Sequence, residues 1–131
     1  MTLNPSQVRL SVVIPVYNEV GSVESALLRV RSVPLNLELV VVDDGSRDGT
    51  RDVLARLERE GLIDVLVLHE VNQGKGSAVR TGFAHATGEV TVIQDADLEY
   101  DPFDLVHLIG PILDGRAAHR AFTVPIGSST Y

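Results

Sequence analysis

The segment LELVVVDDGSRDGT, residues 37–50, runs from a stretch almost unbroken in apolarity into two acids, two glycines and several side chains able to cap a helix. A strand without polar alternation has no side to turn to water, so it is expected to be covered on both faces, as in a parallel sheet between helices. Gly45 and Gly49 permit backbone conformations closed to other residues, and Ser46 or Asp48 can cap the helix that carries residues 51–60. Capping leaves Asp43 and Asp44 unexplained. Two carboxylates at the end of a buried strand repel each other unless a donor meets them. One such donor is the N–H of a base or a ribose hydroxyl, as after the second strand of dinucleotide-binding sheets.

Working outward, residues 10–16, 63–68 and 90–93 read as further strands of the same kind. Between and after the strands the apolar period becomes helical: Val20, Val23, Leu27 and Val30; Val53, Leu54 and Leu57; Ala78, Val79, Gly82, Phe83 and Ala86; and Leu105, Leu108, Ile109 and Ile112. Strictly alternating strands and helices predict right-handed crossovers in a Rossmann-like α/β layer with a mostly parallel sheet. Ligands of such sheets bind beyond the carboxyl ends of the strands. Residues 116–131 show no period, and no element is expected there.

Bulk composition narrows the function. The 131 residues suit one domain, and a two-domain architecture is not expected within them. With 18 acids against 11 Lys and Arg, the net charge of −7 offers nucleic acid little attraction. The absence of Cys rules out disulfides, zinc thiolate sites and thiol nucleophiles, and fits a reducing compartment. No leader pattern opens the chain and its apolar runs are too short to span a bilayer, so a cytoplasmic location is expected.

Each strand end then offers candidates. After the first, in PVYNE, Pro15 fits where ladder pairing stops, Asn18 can cap the next helix, and the Tyr17 ring can pack on a nucleobase or ribose. After the third, HEVNQGKGSAVRTG lacks the spacing of a Walker loop, yet its glycines, Lys75 and a helix start suit either an anion site or a plain turn. The four His, at 69, 85, 107 and 119, lack the pairing of a metal cluster and receive no role. After the fourth, VTVIQDADLEYDP places Asp95 and Asp97 on one side of an extended backbone, with Glu99 two residues on. Hard oxygen ligands in that pattern suit Mg²⁺ or Mn²⁺ shared with substrate phosphates, against the alternative of a solvated acidic loop.

Taken together, SVVIPVYNE, VVVDDGSRDGT and NQGKGSAVRTGFAHATGEVTVIQDADLEYDP resemble the family 2 glycosyltransferases of GT-A fold, particularly the polyprenol-phosphate mannose and glucose transferases, over residues 10–115. The resemblance implies that Pro15, Tyr17 and Glu19 line the nucleotide pocket and that Val42 and Asp44 contact the base. It further implies that Asp95 lies near ribose and metal, and that Asp97 and Glu99 hold Mg²⁺ or Mn²⁺. Lys75 joins the donor set through the anion-site reading. The implied reaction transfers a sugar from GDP-mannose or UDP-glucose to a polyprenyl phosphate at a membrane surface, with inversion.

Two departures accompany the resemblance. The family continues into an acceptor-binding half, and the tail RAAHRAFTVPIGSSTY replaces its usual continuation, so residues 1–115 are expected to bind nucleotide sugar and residues 116–131 to form a divergent tail, as after premature termination. Such truncation predicts a donor-binding domain without turnover, or a poorly folded remnant whose open sheet edge beyond the fourth strand invites self-association. A further alternative is a receiver-like signalling domain, which also combines an acidic pair, a third Asp and a Lys, although receivers carry the pair after the first strand.

Overall fold

A computed structural model describes residues 8–96 and 120–126. In chain order it contains β1 (Arg9–Val16), α1 (Val23–Arg31), β2 (Asn36–Asp43), α2 (Thr50–Arg59), β3 (Val65–Leu68), α3 (Lys75–His85), β4 (Val90–Gln94) and β5 (Arg120–Ile126). The expected helix at Leu105, Leu108, Ile109 and Ile112 lies outside the described residues, as do Asp97 and Glu99.

All pairings among the described residues are parallel and the sheet order is β3-β2-β1-β4-β5. The chain winds outward from β1 to β3, then returns to the other side of β1. That reversal makes the carboxyl ends of β1 and β4 the topological switch point. A receiver orders its strands 2-1-3-4-5, so this sheet removes the receiver-like alternative.

Alternation along the strands assigns each face. Leu10, Val12, Ile14 and Val16 of β1, with Leu37, Leu39 and Val41 of β2, share one apolar cluster with Val23, Leu27 and Val30 of α1 and Leu54 and Leu57 of α2. Burying each such side chain contributes about 1.5–3 kcal/mol, so this layer dominates the core. The opposite face receives α3, where a Cβ added to Gly82 would stand 2.3 Å from Cγ1 of Val13. Absence of a side chain at position 82 is what lets the helix lie directly on β1.

A buried polar group fastens this second face. Ser11 and Glu38 stand opposite each other in the β1–β2 register. The Glu38 carboxylate accepts the Ser11 hydroxyl at 2.6 Å, the Thr87 N–H at 2.8 Å and the Thr87 hydroxyl at 2.7 Å, while Ser11 Oγ accepts the Gly88 N–H at 2.8 Å. This cluster ties the turn between α3 and β4 to the middle of the sheet. Burial pushes the Glu38 carboxyl up, but these hydrogen bonds, with Arg9 nearby, outweigh it and hold the group below the ordinary carboxylate value.

Several sequence expectations need correction. Val20 lies before α1 and is exposed, since the chain first makes a turn in which Ser22 and Val23 N–H bond the Glu19 carbonyl. β3 is shorter than expected and half-exposed, because it is an edge strand. Residues 120–126, where no period predicts an element, form β5 and cover the edge of β4. The open edge expected beyond the fourth strand is therefore paired, through a ladder with a register shift between Thr91 and Ile93.

Candidate functional site at the switch point

Pairing between β1 and β4 ends at Val13 with Ile93, whereas pairing between β1 and β2 continues through Pro15 with Val42 to Val16 with Asp43. The β1–β4 ladder thus stops just short of Pro15, Tyr17 and Asp95, where β1 and β4 part at the switch point. Pro15 ends the ladder only on the β4 side, which refines the expectation drawn from its missing N–H.

The loops after β1 and β2 are sewn together. Asn18, at φ +52°, gives its N–H to Ser46 Oγ at 2.8 Å and accepts the Arg47 N–H on Oδ1 at 2.9 Å. Glu19 N–H bonds Thr50 Oγ1 at 3.0 Å, and Val20 N–H bonds Asp48 Oδ2 at 3.3 Å. Asn18 therefore joins two loops and does not cap α1. Asp48 does support the start of α2, accepting the Thr50 N–H at 3.0 Å and the Thr50 hydroxyl, whereas Ser46 serves Asn18. Burial raises the Asp48 carboxyl, but the Thr50 and Val20 bonds outweigh it and leave the group more acidic than usual. Together these bonds hold Tyr17 and Glu19, both partly exposed, at the rim.

The acidic pair finds its donors within the chain. Asp43, fully buried, accepts the Ser46 N–H at 3.0 Å and faces Arg51 Nε at 3.2 Å. Asp44, also fully buried, accepts the Gln73 N–H at 2.9 Å and the Gly74 N–H at 2.8 Å, and meets His69 Nδ1 at 2.9 Å. A carboxylate only accepts, so His69 donates from Nδ1, and its Nε2 pairs with Thr81 Oγ1 at 2.9 Å. His69 thus braces the ends of β2 and β3 against α3. No spacing in the sequence signals that role, because Thr81 and Asp44 approach it only in the folded chain. Gly45, at φ +80°, lets the loop pass beneath residues 71–72, since a Cβ there would lie 2.5 Å from Asn72 N.

Of the candidate residues, Pro15, Val42 and Asp44 are buried, Tyr17, Glu19 and Lys75 are partly exposed, and Asp95 is 5% exposed. The fold brings Lys75 and Asp95 together: Nζ donates to Oδ1 at 2.6 Å. Among the described residues no cluster of three metal-ligating side chains forms. Asp95 nevertheless fits a cation, being a hard oxygen donor that already carries a positive group in that place. No helix among the described residues is long and apolar enough to cross a membrane.

Comparison with known proteins agrees with this geometry. The profile of Glycosyl transferase family 2 matches residues 11–129. An undecaprenyl-phosphate 4-deoxy-4-formamido-L-arabinose transferase of Pseudomonas aeruginosa is 40% identical over 105 residues, covering 76% of this chain and 31% of the relative. The Klebsiella pneumoniae protein of the same name is 37% identical over 120 residues, covering 88% and 37%. The chain thus spans about a third of the length of these curated relatives. Among solved structures, a Pyrobaculum calidifontis mannosyltransferase in complex with GDP-Man and Mn²⁺ superposes with a TM-score of 0.67 at 34% identity, over 79% of this chain and 32% of that one. Glucosyl-3-phosphoglycerate synthase of Mycobacterium tuberculosis, with Mn²⁺, UDP and glucosyl-3-phosphoglycerate, gives 0.66 at 30% identity, over 83% and 41%. By profile, by curated relatives and by a sheet matching GT-A neighbours, the chain belongs to glycosyl transferase family 2.

Proposed function

We propose that this chain forms the donor-binding layer of a transferase that moves a sugar from GDP-mannose or UDP-glucose to a polyprenyl phosphate, with inversion, at the cytoplasmic face of a membrane. The observation that carries the reading is the Lys75–Asp95 pair at the topological switch point. It joins an anion-seeking group to a cation-seeking one where a nucleoside diphosphate and its metal ion belong. The relatives' names support the lipid phosphate acceptor, and the neighbours' complexes support the nucleotide and Mn²⁺.

In this reading Tyr17 stacks on the base or ribose, Glu19 and the crosslinked loops fix that ring, and Pro15 and Val42 form the apolar floor. Asp44 acts through the residue 69–74 loop that it anchors; direct contact with the base requires it to exchange one of its internal donors. Asp95, with Asp97 and Glu99, holds Mg²⁺ or Mn²⁺, which offsets the charge gathering on the departing nucleoside diphosphate. An acceptor phosphate is already anionic, so the donor layer need not supply a general base. The donor residues all fall within 1–115.

Calorimetric titration of the chain with GDP, UDP and their sugars, with and without Mn²⁺, tests the reading. One nucleotide is expected to bind in a metal-dependent way, and Asp97→Ala to abolish that dependence while the far-UV spectrum stays unchanged. Equal binding with and without Mn²⁺ would remove the proposed cation role.

A further inference from the structure

Asp95 is 5% exposed and follows an apolar strand. A carboxylate so placed needs a countercharge, and the Lys75 ammonium supplies it at 2.6 Å. The lysine is also built to leave. It opens α3, directly after two residues whose N–H groups are fastened to Asp44, so its four-carbon stem swings from a fixed root. Its side chain remains 28% exposed against 6% for that of Asp95, which puts the ammonium on the solvent side of the pair.

Resting on the donor-site reading above, we propose that Lys75 is a positioning residue that holds the metal ion's place on Asp95 and yields it when pyrophosphate binds, so that nucleotide and cation bind cooperatively through this one side chain. An ammonium and a divalent ion compete for the same carboxylate oxygen. Metal binding alone breaks the ion pair and strands Lys75; nucleotide binding alone draws Lys75 away and strands Asp95. When both arrive, the pair is broken once and each charge regains a partner. Such a shared cost appears as positive coupling, and coupling is reciprocal between the two ligands.

The test measures Mn²⁺ affinity of the full chain by calorimetry and by the free-ion electron paramagnetic signal, without nucleotide and with saturating GDP or UDP. Lys75→Met is expected to tighten Mn²⁺ binding without nucleotide on the order of tenfold, as removal of a like charge beside a ligand does. The factor by which nucleotide tightens Mn²⁺ should shrink by a similar ratio. Lys75→Arg, which keeps the charge, should stay near wild type, and an unchanged far-UV spectrum with a single cooperative melting transition controls for the fold, even where the stranded Asp95 lowers the midpoint. Unchanged or weaker metal binding by Lys75→Met, or an undiminished nucleotide effect, overturns the proposal. Asp95→Asn separates the two levels. If it abolishes Mn²⁺ binding while Lys75→Met matches wild type, the site reading stands and the exchange is wrong; if it binds Mn²⁺ like wild type, both fail.

Discussion

His69 Nδ1 meets Asp44 Oδ1 at 2.9 Å, and the same carboxylate takes the N–H groups of Gln73 and Gly74. One fully buried side chain therefore fixes the loop that leads into Lys75. Asp44→Ala leaves three part-buried donors without this acceptor; a fully buried unsatisfied group costs about 1–3 kcal/mol, and water reaches these in part. We expect Asp44→Ala to lose about 1–3 kcal/mol in total, and His69→Ala less, in urea unfolding. Amide exchange at Gln73 and Gly74 should quicken in the first variant. Unaltered exchange there would show that the loop does not depend on Asp44.

Glu38 makes a pH prediction. Its folded-state value lies below the ordinary one, so its stabilisation is fully present above the unfolded value and is lost as pH falls through the folded value. Asp48 and Asp64 shift in the same direction, so wild type alone cannot isolate Glu38. The difference between wild type and Glu38→Gln does. It should be about 1–3 kcal/mol near neutrality and should shrink as acid protonates the carboxylate. A difference that is flat from neutral pH into acid would contradict the ionised clasp.

Gly82 predicts a steric coupling. Alanine in a helix interior gains up to about 1 kcal/mol over glycine from propensity, but here its Cβ would lie 2.3 Å from Val13 Cγ1. Overpacking of that kind costs about 1–3 kcal/mol, so Gly82→Ala should be net destabilising. Val13→Ala should relieve it, giving a favourable interaction term in a double-mutant cycle. Additive effects would mean that α3 shifts away from β1 without cost.

The catalogue of strand ends was legible because it depends on local pattern. Apolar runs gave the strands β1 to β4, and the polar residues at their carboxyl ends included Tyr17, Lys75 and Asp95. The Glu38 clasp had a faint trace in Ser11 and Glu38, two polar residues inside buried strands. His69 had none, since its partners Asp44 and Thr81 stand 25 and 12 residues away in the chain.

The α/β class, the family and the loops at the carboxyl ends of the strands were readable from the chain alone, because hydrophobic period and turn chemistry act over a few residues. Strand order, the burial of Asp44, the pairing of β5 with β4 and the meeting of Lys75 with Asp95 were decided only by tertiary structure. Each depends on which distant segments share a sheet edge or a charge, and a buried carboxylate takes whichever donors the packed chain delivers to it.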